Sequence, residues 1–189
     1  MDCQCKTISY AMGAKRVKMK SILNLMRKLK CRFRKKYYTK KALKQISYFK
    51  ELPNINYKSS FNGNTYLGSN CHFNGMQISG GGRVTIGDNF HSGSSCMMIA
   101  QNHNINGGAL PYDNTYILKD IEIGDNVWLG NRVIILGGVK IGEGAVIQAG
   151  SVVVSDIPTL AIAGGHPAVV FSHRDSEHYF RLKNEEKFN

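Results

Sequence analysis

The sequence predicts an all-β solenoid of six-residue repeats, preceded by a basic helical arm and followed by a short C-terminal helix. Three observations predict it. From Ile123 the chain falls into six consecutive hexads, IGDNVW, LGNRVI, ILGGVK, IGEGAV, IQAGSV and VVSDIP, each led by a large aliphatic. The same spacing returns upstream at Phe61, Leu67 and Phe73, and again at Ile86, Ser92 and Met98. The charge is also divided: residues 1–50 hold 16 of the 25 Lys and Arg but only one of the 13 acids. The net charge of +12 is therefore a strongly basic arm joined to a nearly neutral body.

The arm comes first, over residues 1–52. In KRVKMKSILNLMRKLKCRFRKK, residues 15–36, Ile22, Met26, Leu29 and Phe33 recur at helical spacing with Leu25 nearby, and Lys and Arg fill most other positions. This is a basic amphipathic helix. Such a helix suits an anionic lipid surface, or it packs its stripe on the body or on a partner chain. No nucleic-acid recognition motif accompanies the charge, so no nucleic-acid partner is expected. Met19 opens a natural-looking start, MKSILNLM, which makes residues 1–18 an expected disordered extension. Leu52-Pro53 closes the arm.

The body is expected over residues 53–172. A period of six fits neither the 3.6-residue helix nor a two-sided strand. It fits a solenoid in which each hexad is a short strand plus a turn, about three hexads to a triangular coil. The leading aliphatics Ile123, Leu129, Ile135, Ile141, Ile147 and Val153 point inward. Position five is always small or β-branched: Val127, Val133, Val139, Ala145, Ser151 and Ile157. Cys71 and Cys96 fall at that position upstream and read as small core fillers. Ile86 follows Phe73 by a step of 13 residues instead of 12, and the Gly80-Gly81-Gly82 run absorbs the extra one as a bulged corner. The repeat breaks over 104–120, NINGGALPYDNTYILKD, a loop that leaves the solenoid. At least four coils are expected. Residues 173–189 form a partly helical tail.

Composition narrows the function classes. No run of ~18 apolar residues exists, so no transmembrane helix is expected. The start MDCQCKTISY lacks a secretory pattern. Five cysteines, an odd number, argue against a disulfide framework, and Cys3 and Cys5 stand too close for a usual zinc pair. A reduced, cytoplasmic protein is expected, peripheral to the inner membrane face if the arm meets lipid.

Among the six histidines, 72, 91, 103, 166, 173 and 178, His103 stands out because it ends a regular coil where the long loop departs. A loop on a rigid scaffold is where a cleft forms. A zinc reading would need His72, His91 and His103 to converge, without the close pair of histidines such sites use; a non-catalytic scaffold is the third reading.

The hexads IGDNVWLG and IGEGAVIQAGSVVV, with GGHPA, resemble the left-handed parallel β-helix acyltransferases, and within them the maltose, galactoside and xenobiotic O-acetyltransferases and their relatives in surface-polysaccharide clusters. The resemblance covers about residues 55–172. It implies a left-handed coil, acetyl-CoA as co-substrate, no metal, a sugar or glycan-precursor hydroxyl as acceptor, and a homotrimer with shared sites. An amino-sugar N-acetyltransferase is the alternative, and a carbonic-anhydrase-type zinc enzyme a further one. His103 lies 17 residues after Ile86, the spacing at which these enzymes place their catalytic histidine. Imidazole suits a base that must take a hydroxyl proton near pH 7. The resemblance makes Asn74 an acceptor-side or oxyanion amide, against the plainer reading of a turn asparagine. Asp113 or a backbone carbonyl would orient His103. Trp128 and Asn131 would line the acetyl-CoA groove. Ala149, Gly150, Ala163 and Gly164 would let pantetheine lie against bare backbone. The basic positions that usually hold CoA phosphates are here Ser155, Val169 and Ser172, leaving His166, His173, Arg174 or a neighbouring copy's basic arm to compensate.

Overall fold

The computed structural model describes the backbone from Gln4 to Asn189 and the side chains from Leu23 onward. The Cys3 and Cys5 thiols and the Ile22 side chain lie outside the described residues.

Three parallel sheets form the faces of a triangular prism. The first face has five strands, Tyr48–Phe49, Thr65–Leu67, Val84–Ile86, Ile121–Ile123 and Lys140–Ile141. The second stacks Asn54–Ile55, His72–Asn74, His91–Ser94, Trp128–Leu129, Val146–Ile147 and Ala161–Gly165, and Ala168–His173 adds an antiparallel edge strand. The third holds Gln77–Ser79, Met97–Ile99, Ile134–Leu136 and Val152–Val153. The hexad leaders stack in register: Leu67 beside Ile86, Ile86 beside Ile123, Ile123 beside Ile141. The leaders are buried throughout, as are Cys71 and Cys96 at position five. Burial pushes the Cys71 thiol up to about 12, so it packs as a neutral group.

The expectation of at least four coils is met, and the sequence framing needs two corrections. About six coils are present, because Tyr48–Phe49, Asn54–Ile55 and Ser60 already make one. The solenoid thus starts inside the segment assigned to the arm. The upstream hexads are also uneven. Ile78, not residue 79, enters the core opposite Met98, five residues after Phe73 and eight before Ile86. Gly80–Gly82 make the corner within that longer step, with Gly80 at φ 91°.

At the corner between the first and second faces, a side chain of each coil occupies space beside the coil before it. Asp88 Oδ1 accepts from Ser69 N at 2.8 Å, and Asp125 Oδ1 accepts from Asp88 N at 2.7 Å. These bonds need glycine beneath them. A Cβ on Gly87 would lie 2.8 Å from Asp125 N. The next corner residue is left-handed in three coils, Asn70, Asn89 and Asn126, with φ of 51°, 56° and 57°. Asparagine tolerates that conformation. The three amides form a ladder, Asn70 Nδ2 to Asn89 Oδ1 and Asn89 Nδ2 to Asn126 Oδ1, both 3.0 Å.

Helix α1 spans Gln4–Ala42, so it includes much of the expected extension, and a 3-10 turn at Leu43–Gln45 joins it to the prism. Among its described side chains, those of the last turns dock: Thr39 and Ala42 are buried, and Arg34 lies 4.0 Å over the Tyr57 ring while its Nε donates to Asn56 O at 3.0 Å. Helix α2, Ser176–Asn184, is capped by the Asp175 side chain. Its buried Tyr179 donates to Glu143 Oε1 at 2.8 Å and accepts from Asn126 Nδ2 at 2.9 Å. Burial raises the Glu143 carboxyl, but Lys183 and Tyr179 outweigh it and hold the group below its ordinary value. No described helix is long and apolar enough to cross a membrane.

Gly87→Ala tests the corner rule. The new methyl meets backbone on a strand-linked corner that cannot shift alone, so a loss of about 1–3 kcal/mol is expected by chemical denaturation. Gly108→Ala, in open space on the loop, should change stability by less than about 0.5 kcal/mol.

Candidate active site

His103 ends the strand Gln101–His103. The segment expected as an irregular loop pairs back on it: Tyr116–Leu118 runs antiparallel, with Tyr116 opposite His103. The excursion is a hairpin with a long tip. The half-buried His103 ring stacks on Tyr112 at 3.7 Å between centroids and tilts against Tyr116 at 4.7 Å. Two aromatic walls fix the imidazole plane. The tyrosines carry no repeat signal, which is why the periodicity did not single them out.

His103 Nδ1 is buried and has no hydrogen-bond partner among the described residues. Asp113 does not orient it. Its Oδ2 accepts from Gly108 N at 2.8 Å, and its Oδ1 accepts from Thr115 N at 2.9 Å and from Thr115 Oγ1. The Thr115 hydroxyl, then Gly108 N and Thr115 N, hold this carboxyl below its ordinary value. Asp113 is the brace of the hairpin tip.

The other candidates occupy other edges. Asn74 and Asn131 share a groove of about 540 Å³ on the corner between the second and third faces, walled by Tyr38, Tyr57, Ser94 and Ser95. Both amides are engaged there. Asn74 Nδ2 donates to Ser92 O at 2.7 Å and its Oδ1 accepts from Asn56 Nδ2 at 2.9 Å. Asn131 Oδ1 accepts from Ser94 N at 2.8 Å. Ala149 and Gly150 continue this corner toward the last coils: a Cβ on Gly130 would lie 2.5 Å from Ala149 N, and Gly150 N donates to Asn131 O at 2.8 Å. Further along, Ala163 is fully buried, and the space beside Gly164 is taken by Gln148 and Phe171. His166 is exposed in the turn that follows.

Trp128 stands over half exposed at the corner between the first and second faces, in a groove with His91, Arg174, Lys187 and Phe188. Arg174 Nε there is buried without a partner among the described residues. Ser155 follows the third-face strand Val152–Val153, on the same edge as His103. One chain therefore spreads the candidates over all three edges of the prism. A concavity of about 730 Å³ on the first face beside Glu122 and Lys140 contains none of them.

The zinc arrangement does not form. His72 and His91 stack face to face at 4.3 Å and 9° on the second face, while His103 stands on another edge. Stacked rings do not converge their nitrogens on one ion. No group of three His, Cys, Asp or Glu suited to a metal occurs among the described residues. His72 Nε2 instead lies 3.0 Å from Asn54 Nδ2 and 2.9 Å from Asn70 Oδ1.

Comparison with known proteins agrees with this fold. Residues 120–155 match the bacterial transferase hexapeptide (six repeats) family. Galactoside O-acetyltransferase of Escherichia coli K12 is 35% identical over 126 residues, which are 65% of this chain and 62% of the relative. The chain thus spans about three-fifths of that relative's length. A hexapeptide-repeat acetyltransferase of Vibrio cholerae O1 biovar eltor, solved with acetyl coenzyme A, superimposes with a TM-score of 0.51 at 26% identity, covering 70% of this chain and 74% of its own. An N-acyltransferase from Bacillus cereus, solved with dTDP and coenzyme A, shares the fold at a TM-score of 0.60 and 22% identity, over 76% and 84% of the two chains.

His72 generates a pH prediction. Burial first, then His91 and Lys35, hold its imidazole below the ordinary value. The unfolded chain then binds the proton more readily than the folded one. The contribution to stability is whole above about pH 6.5 and is lost as pH falls through the folded value. Melting temperature should therefore drop more between pH 7.5 and 5 for the wild type than for His72→Gln, as differential scanning calorimetry will show.

Proposed function

We propose that this chain, whose solenoid is that of the hexapeptide-repeat acetyltransferases, is an acetyl-CoA-dependent O-acetyltransferase acting on a sugar hydroxyl in surface-polysaccharide or lipopolysaccharide assembly. The observation that carries the reading is His103. It sits at the root of the hairpin that leaves a rigid prism, with its ring plane set by Tyr112 and Tyr116. The identity with a galactoside O-acetyltransferase supports the reaction class.

The chemistry asks little of the protein beyond placement. His103, neutral, removes the proton from the acceptor hydroxyl as its oxygen attacks the thioester carbonyl. A tetrahedral oxyanion forms and needs donors positioned in advance. Collapse expels the CoA thiolate, and the imidazolium returns the proton to it. No acyl-enzyme is required. Because Asp113 is committed to the hairpin tip, His103 is oriented by packing between the tyrosines.

The edge-by-edge distribution of candidates supports a shared site. His103 and Ser155 lie on one edge, and Asn74, Asn131, Ala149 and Gly150 on another, with the third face between them. A second copy that lays one edge against the other brings the base to a groove bordered by bare backbone. A homotrimer closes such contacts in a ring. Use of acetyl-CoA fits a cytoplasmic reaction.

Release of CoA thiol in the presence of acetyl-CoA and a panel of sugars and amino sugars tests the reaction. Turnover only with amino sugars would replace the hydroxyl acceptor by an amine. His103→Ala should lower kcat by ~10²–10⁴ and leave the acetyl-CoA dissociation constant nearly unchanged, because a base acts in the transition state. Trp128→Ala should show the reverse balance, weaker acetyl-CoA binding with a milder loss of turnover. Near wild-type kcat in His103→Ala would assign the proton transfer elsewhere.

Sedimentation at micromolar concentration should give a trimer. A fully active monomer would refute the shared site.

A further inference from the structure

We infer that α1 is a membrane-docking helix, which lays its apolar stripe and cationic flanks on the surface of an anionic lipid bilayer. The stripe is left open by the fold. Met26, Leu29, Phe33 and Tyr37 are 61%, 44%, 72% and 63% exposed, and Leu23 and Leu25 widen the patch on either side. A contiguous apolar patch of this kind marks an interaction surface.

The phase of the helix shows why the prism does not cover it. Arg34, Tyr38 and Ala42, spaced by four, face the solenoid. Phe33 and Tyr37 each stand five residues before a member of that row, about 140° around the axis. The stripe therefore points away from the body, and residues 23–37 present it over about 22 Å. A surface that meets the stripe need not touch the solenoid or its edges.

Charge selects the occupant. Gln4–Ala42 carries 14 Lys and Arg and no acid. A second copy of α1 packed stripe to stripe would gather like charges with no acid on the helix to neutralise them. A nucleic acid would satisfy the lysines but leave Leu, Met and Phe in water. A bilayer with anionic headgroups uses both features: the stripe enters the boundary with the acyl chains, and the long basic stems carry their charges back to the headgroups. The cations next to the stripe, Arg27, Lys28, Lys30, Arg32 and Lys36, are spread along the same stretch.

The test uses the full chain and vesicle co-sedimentation. Vesicles of phosphatidylcholine with roughly 30 mol% phosphatidylserine should retain the protein at about 0.1 M salt. Retention should weaken about tenfold or more with phosphatidylcholine alone, and similarly at about 0.5 M salt, where screening shortens the reach of the charges. Met26→Ser/Leu29→Ser/Phe33→Ser keeps every charge and should also weaken binding about tenfold or more, with melting temperature and lipid-free sedimentation unchanged. Three results overturn the inference: binding of the triple variant to anionic vesicles as tight as that of the wild type, wild-type binding indifferent to phosphatidylserine, or a lipid-free oligomer that changes size in the variant, which would assign the stripe to a second copy. Retention of the chain on duplex DNA in preference to anionic vesicles, unaffected by the triple substitution, would assign the arm to nucleic acid and overturn it as well. None of these readouts uses acetyl transfer, so they stand or fall apart from the catalytic reading.

Discussion

Close stacking of one coil's corner on the next is the constraint on which the rest of this structure depends. At each edge of the prism a side-chain oxygen accepts a backbone N–H from a neighbouring coil: Asp88 from Ser69, Asn131 from Ser94, Asp120 from Arg83, and Asp156 from Lys140. Corner glycines make room for this approach, since a Cβ on Gly93 would lie 2.6 Å from Asn131 N. Corner amides that strands leave over thus find partners, which buried backbone requires. The inward leaders then fill a narrow core with no choice of register.

A prism so determined is a rigid rod with its chemistry confined to edges and excursions. Its faces are short strands whose outward side chains are spaced by whole coils, so no single face gathers a catalytic set. The hairpin at residues 101–118 is the departure that can build a pocket wall, and it carries His103 with both of its aromatic neighbours. The braces Asp113 and Thr115 stiffen the tip from within. A whole face separates His103 from the groove that Asn74 and Asn131 line, so a single copy does not bring them together.

The two ends of the molecule are treated differently. At the C-terminal end α2 folds back, and Tyr179 extends the asparagine ladder into Glu143 and Lys183, tying the helix to the last coils. At the other end, among the described residues, α1 is fastened by its final turns, and the helix is strongly basic where the body is close to neutral. Packing holds one helix to the solenoid; the other leaves its apolar residues between Leu23 and Tyr37 exposed.

The hexad by itself determined the solenoid, its core leaders and the roles of Cys71 and Cys96, because a period of six admits one arrangement of strand and turn and repeats it enough to be unmistakable. It also marked His103, as the residue where that period stops. The uneven coil around Ile78 was not legible, since one corner can lengthen while the preceding step shortens and only pairing with Met98 shows which residue enters the core. Nor was the commitment of Asp113 to its own hairpin, or the spending of the Asn74 amide on Asn56 and Ser92. Those are contacts between residues whose spacing carries no period. Tertiary structure alone decided them, because a side chain with several acceptors in reach is assigned by distance and direction, which a repeat pattern does not encode.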